Sequence, residues 1–71
     1  MRRHRVHSTT IASAGHDPTT ATLEIEFTDG DIYTYFMVPK ATFLEFMAAE
    51  SKGTFFVHKI KGVYAFKKAN S

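Results

Sequence analysis

No cysteine occurs among the 71 residues, so neither a disulfide framework nor a thiolate metal cage can hold the chain together. No stretch approaches the ~18 consecutive apolar residues that a membrane-spanning helix requires. No targeting segment is visible either. Met1 to Arg5 is rich in arginine, but Val6 to Gly15 is too polar to serve as the apolar core of a signal peptide. The expected location is therefore the cytoplasm. The chain is also too short for a repeat array or for an enzyme built on two domains.

What remains is one small domain. Hydrophobic residues make up 44% of the chain and charged residues 23%, the balance of a folded protein and not of a disordered one. A chain of this size buries only about 60% of its unfolded surface. Seven Phe and three Tyr answer that shortage, because each large ring removes about 150–250 Å² from water.

The net charge of +2 is unevenly spread. Arg2, Arg3 and Arg5 begin the chain without an acid. All seven acids, Asp17, Glu24, Glu26, Asp29, Asp31, Glu45 and Glu50, fall between residues 8 and 50 against Lys40 alone. From Ser51 onward come Lys52, Lys59, Lys61, Lys67 and Lys68, again without an acid. Such a polar arrangement offers a cationic surface to a polyanion, or a solvated face with a basic tail.

The expected organisation is a mobile basic arm over 1–8, a single domain over 9–66 and a polar tail over 67–71. Residues 9–16 allow a short strand, and Asp17-Pro18-Thr19-Thr20 has the chemistry of a turn. Leu23-Glu24-Ile25-Glu26-Phe27 alternates strictly and predicts a strand with one buried face. Asp29-Gly30 signals a hairpin, and Ile32 to Met37 returns as a strand rich in aromatic and β-branched residues. A two-residue loop would place Tyr33 and Tyr35 outward beside Glu24 and Glu26. A three-residue loop with Gly30 as a bulge turns both tyrosines inward. Pattern alone leaves both open, and the bulged form has the advantage of a wholly apolar buried face.

Pro39 suits the first turn of a helix, and Phe43, Leu44, Phe46, Met47 and Ala48 form a stripe at helical spacing over about 39–50. Ser51-Lys52-Gly53 breaks that pattern, with Gly53 as a terminator or Ser51 as the cap of a second helix over about 52–60. Gly62 ends it, and Val63 to Phe66 forms a last extended piece. The fold class is α+β: a three-stranded antiparallel meander followed by two short helices on one face, β-β-β-α-α. Leu23, Ile25, Phe27, Phe43, Met47, Phe56 and Ile60 are the expected core.

Ile11 to Tyr64 resembles the KTSC domain, a module named after the C-terminal extension of some lysyl-tRNA synthetases. The resemblance is carried by Gly15-His16-Asp17, Leu23-x-Ile25-x-Phe27, Asp29-Gly30, Tyr33-Thr34-Tyr35, Val38-Pro39, Ser51-Lys52-Gly53 and Ile60-Lys61. His16 stands where many relatives carry Tyr, and His58 lies where relatives often show a nearby Asn. The resemblance implies no established activity; RNA binding is what it suggests, by association with the synthetase.

Catalytic chemistry finds little material. Glu24 and Glu26 share a strand face, which is how a solvated strand face looks, and Ser51 is placed as a helix cap with His58 farther along. The chain is expected not to be an enzyme and to need no cofactor. His4 and His7 lack a third ligand, and no metal is expected. Two partner classes fit the surface. RNA would use Tyr33 and Tyr35 as a stacking platform, with Lys52, Lys59, Lys61, Lys67 and Lys68 on phosphates. A protein partner or a second copy of the chain would instead use an open apolar sheet face, through Ile32 and Phe36 or through the two tyrosines.

Overall fold

The computed structural model describes residues 3–69. Seven elements follow in the order β1 (His4–Arg5), β2 (Ile11–Asp17), β3 (Thr22–Phe27), β4 (Ile32–Tyr35), α1 (Lys40–Ala48), α2 (Lys52–Lys59) and β5 (Phe66–Lys68). All five strands make one antiparallel sheet in the spatial order of the sequence. The expected three-stranded meander is therefore the centre of a wider sheet, with both helices inserted between β4 and β5. No apolar alternation announces β1, and the extended piece expected over Val63 to Phe66 lies farther along, at Phe66–Lys68, with Val63 still in the turn after α2. His4 and Arg5 pair with Ala14 and Ser13, so the basic arm is partly strand. Lys67 and Lys68, expected in the tail, pair with Thr34 and Tyr33. Met1, Arg2, Asn70 and Ser71 lie outside the described residues.

Local chemistry explains the turns. Asp17 Oδ1 accepts from the Thr19 hydroxyl at 2.6 Å and from its N–H at 3.0 Å. The Thr19 hydroxyl bond, then the backbone bond, hold the Asp17 carboxyl below its usual range. Between β3 and β4 the loop has three residues. The Phe27 N–H donates to Asp31 O, the Gly30 N–H donates to Phe27 O, and Gly30 takes φ +96°, a conformation that costs glycine little. This is the bulged register. Leu23 faces Tyr35 and Ile25 faces Tyr33, which turns both tyrosines to the helix-covered side. A second irregularity, at Ala12, lets Ile11 return to that side opposite Phe27.

The core lies between the sheet and the helices: Ile11, Ala14, Leu23, Ile25, Tyr35, Val38, Phe46, Phe56 and Ile60. Four of the seven expected core residues are in it, whereas Phe27, Phe43 and Met47 are half-buried and pack against it. The α1 stripe is narrower than its periodicity suggests, with Phe46 buried and Leu44 exposed. Pro39 precedes α1 as its N-cap. Of the two roles open to Ser51-Lys52-Gly53, the cap is the one seen: Ser51 Oγ accepts from the Thr54 N–H. Gly53 serves a close approach instead of a terminus. A Cβ there would stand 3.1 Å from Thr10 Oγ1, so α2 rests directly on the β1–β2 connection. Val38 ties the two layers, its N–H donating to Ala21 O at 2.8 Å and its carbonyl 2.7 Å from His16 Nε2. The His16 ring stacks on Phe43, and its buried Nδ1 has no hydrogen-bond partner.

Candidate functional site

The outer sheet face follows from the β3 alternation. Glu24 and Glu26 point away from Leu23 and Ile25, and their partners are polar. Arg3 Nη1 donates to Glu24 Oε1 at 2.7 Å, and Ser13 Oγ donates to Glu26 Oε1 at 2.9 Å. An apolar sheet face open to a partner is thus not what this fold presents. Ile32 is half-buried, and Phe36 sits at the end of β4 with 37% of its surface exposed.

A cleft lined mainly by aromatic rings opens on the other side, between β4, β5 and the end of α2. It holds about 320 Å³ and is lined by Phe27, Asp29, Asp31, Tyr33, Tyr35, Phe56, Lys61, Gly62 and Phe66. The bulged hairpin places three of its rings: Phe27 at the end of β3, and Tyr33 and Tyr35 two apart on β4 (alternate strand residues share a face). The amphipathic spacing of α2 adds Phe56, and the pairing of Phe66 with Tyr35 brings in β5.

Ring geometry shows a continuous aromatic wall. Tyr33 and Tyr35 lie nearly parallel, with centroids 6.4 Å apart. Phe27 and Phe56 meet edge to face at 5.3 Å, and Phe56 meets Tyr35 in the same way at 5.6 Å. Phe66 tilts against both tyrosines, at 5.5 Å and 5.7 Å. Such pairs are each worth about 0.5–1.5 kcal/mol beyond the area they bury. Burial pushes the Tyr35 hydroxyl up to about 12, and neighbouring Tyr33 adds to the effect. Phe66 remains 58% exposed, so the wall is reachable from solvent.

Charged groups frame the mouth. Asp29 Oδ1 accepts from the Asp31 N–H at 3.0 Å, and Lys68 Nζ lies 3.4 Å from Asp31 Oδ2. Lys61 also lines the cleft, on the turn where Gly62 takes φ +79°. Of the residues expected to touch a nucleic acid, Tyr33, Tyr35 and Lys61 come together here, and Lys68 reaches the rim through Asp31. Lys59 lies exposed on the last turn of α2 and Lys67 on the outer face across from Thr34. Lys52 does a structural task, its Nζ donating to Ala49 O at 2.6 Å. Phe27, Asp29, Asp31, Phe56 and Phe66 were not expected at the site. The bulged register alone would have put Phe27 beside the tyrosines; the extended piece expected to end at Phe66 gave no sign of its pairing with β4.

Among the described residues no three His, Asp, Glu or Cys side chains are grouped to hold a metal ion, and no helix is long and apolar enough to cross a membrane.

Comparison with known proteins agrees with this architecture. Residues 7–64 match the model of the KTSC domain. A lysine–tRNA ligase from a Nostoc species is 43% identical over 58 residues, covering 82% of this chain and 10% of the ligase. The chain thus spans about a tenth of that enzyme's length. A protein of Tsukamurella paurometabola is 44% identical over 50 residues, 70% of this chain and 75% of that one. The crystal structure of a KTSC domain protein from Yersinia pestis superposes with a TM-score of 0.91 at 42% identity, covering 96% of each chain.

Proposed function

The chain belongs to the KTSC domain family, and on that footing we propose that it is a non-enzymatic module that binds single-stranded RNA by seating an unpaired base in the aromatic cleft. The observation that carries this reading is the exposed Phe66 ring and the half-buried Tyr33 ring, backed by buried Tyr35, with Lys61 lining the same cleft. Bases stack on such rings with about 1–3 kcal/mol each, while lysines contact the phosphates. A relative that is a lysine–tRNA ligase is a protein that handles RNA, which supports the reading by association. The bound strand meets Lys61 first, with Lys59 on the neighbouring turn.

The test is an NMR titration with short single-stranded RNA at two salt concentrations. Shifts should map to Tyr33, Tyr35, Phe56, Lys61 and Phe66, and affinity should fall with salt at a slope of about −0.7 per phosphate contacted. Shifts confined to the outer face of Glu24 and Glu26, or none at all, would remove the reading.

A second reading, a protein-interaction module, is favoured by the exposure of Phe66 (58%) and of Val63 (60%) next to Gly62. It predicts binding that salt barely weakens. Self-association through the same patch would show as a mass that rises with concentration.

A further inference from the structure

We propose that the cleft selects guanine among unpaired bases, with the Asp29 carboxylate taking its donor edge and Lys61 its acceptor edge; this rests on the RNA reading above. The size is right for one ring system. Ligand pockets run from about 300 to 1,000 Å³, and this cleft of about 320 Å³ sits at the lower bound. Its walls are ring faces and edges, which suit a flat aromatic ligand.

The charges at the mouth narrow the chemistry. Asp29 and Asp31 are balanced there by Lys61 and by Lys68, which lies against Asp31. A bare cation would meet the two lysines, and a bare anion would meet the two carboxylates. A neutral planar heterocycle with donors on one edge and acceptors on another satisfies both signs. Asp29 is the carboxylate best placed to accept. It enters no salt bridge among the described residues, and its one backbone bond, through Oδ1, leaves acceptor capacity on a group with about four lone-pair sites.

Guanine alone among the four bases offers two adjacent donors, N1–H and the N2 amino group, that match a carboxylate. It also offers O6 and N7, the acceptor pair that lysine recognises. Adenine and cytosine place their amino group beside a ring nitrogen whose lone pair a carboxylate repels. Uracil flanks its single imino donor with two carbonyls. Recognition of the Watson–Crick edge of a splayed-out base is the usual way in which single-stranded RNA is read.

The experiment is fluorescence anisotropy of the full chain with labelled hexauridine and with the same strand carrying one central guanine, adenine, cytosine or inosine. The guanine strand should bind at least about tenfold tighter than the others. Inosine, which lacks only the N2 amino group, should lose most of that advantage. Asp29→Asn keeps an oxygen for the Asp31 N–H and should bring the guanine preference, read as the ratio of guanine-strand to hexauridine affinity for the same variant, to within about threefold.

Equal affinity for all five strands overturns the selection and leaves the RNA reading standing. A guanine preference that survives both inosine and Asp29→Asn overturns the assignment to the carboxylate. Binding of no strand removes the RNA reading and the selection with it. A lysine- or arginine-rich peptide that shifts the cleft resonances when RNA does not would assign the cleft to a protein ligand and overturn both.

Discussion

Phe27 and Tyr33 meet edge to face, their ring centroids 5.5 Å apart and their planes at 90°. They meet because the hairpin loop between them has three residues. With Asp31 bonded to Phe27, Tyr33 lies two positions farther along β4, on the same face and within diagonal reach. One loop residue fewer would turn Tyr33 and Tyr35 to the side of Glu24 and Glu26 and leave the cleft without its wall.

Phe66 separates binding from stability. Its ring is more than half exposed, so Phe66→Ala should lower the unfolding free energy by only about 1 kcal/mol, near the centre of ordinary substitutions. RNA affinity should fall by about 1–3 kcal/mol, the worth of one stacked base. Parallel melting and titration curves check this. An equal drop in both would mean that Phe66 is merely core.

The lysines divide by what they touch. Lys59→Gln with Lys61→Gln should leave the fold within about 0.5 kcal/mol and reduce the salt slope of RNA binding by about 0.7 for each phosphate no longer neutralised. Lys52→Gln should do the reverse, because its amine bonds Ala49 O: some stability goes and the salt slope stays. Deleting residues 1–7 is not a neutral control, since it removes β1 and the Arg3–Glu24 pair. Arg2→Gln with Arg5→Gln is the gentler variant, since it keeps the Arg3–Glu24 pair.

The core should be least tolerant at Phe46 and Ile60, both fully buried. Phe46→Ala should cost about 3–5 kcal/mol and Ile60→Ala about 2–5 kcal/mol, enough to unfold much of a domain whose total stability is about 5–15 kcal/mol. Phe43→Ala, at a half-buried position, should cost less than either. Denaturant midpoints rank the three.

Alkali should loosen the domain through Tyr35. Burial raises its hydroxyl to about 12, above the unfolded value of about 10, so the fold favours the protonated phenol. That contribution is fully present below about pH 10 and is lost as pH rises from about 10 to 12. Tyr35→Phe should flatten this decline. Denaturant midpoints at neutral pH and near pH 11 test it, and a wild-type decline that Tyr35→Phe leaves unchanged would assign the effect elsewhere.

Much of this was legible in the residues. The alternation of Leu23 to Phe27, the Asp29-Gly30 turn and the helical spacing of Phe46, Phe56 and Ile60 each report a local rule, and each element stands where its rule places it. An extended piece near Phe66 was legible but its bounds and pairing were not, and His4-Arg5 was not legible at all, because such short edge strands are held by partners distant in sequence. Phe27 and Phe43 fell short of full burial for a related cause. Periodicity names the face a side chain uses, but not how far the opposite layer extends over it. The cleft required both kinds of information: the hairpin register, open to reasoning from the loop, and the arrival of Phe66, which only the sheet topology supplies.

The place of β5 also sets an order of events. Strands β1 to β4 pair with sequence neighbours, so their contacts close short loops and form early. The β4–β5 pairing closes a loop containing both helices, and such closure bears a larger entropic penalty. A three-residue edge strand returns little for it, so β5 opens at lower free energy than the centre of the sheet. The last wall of the cleft is therefore also the first to leave. A ligand that touches Phe66 holds that edge shut, and hydrogen exchange at the Phe36 and Ala69 amides, which bond Ala65 O and Ile32 O, should slow on binding before any amide of β2 or β3 responds.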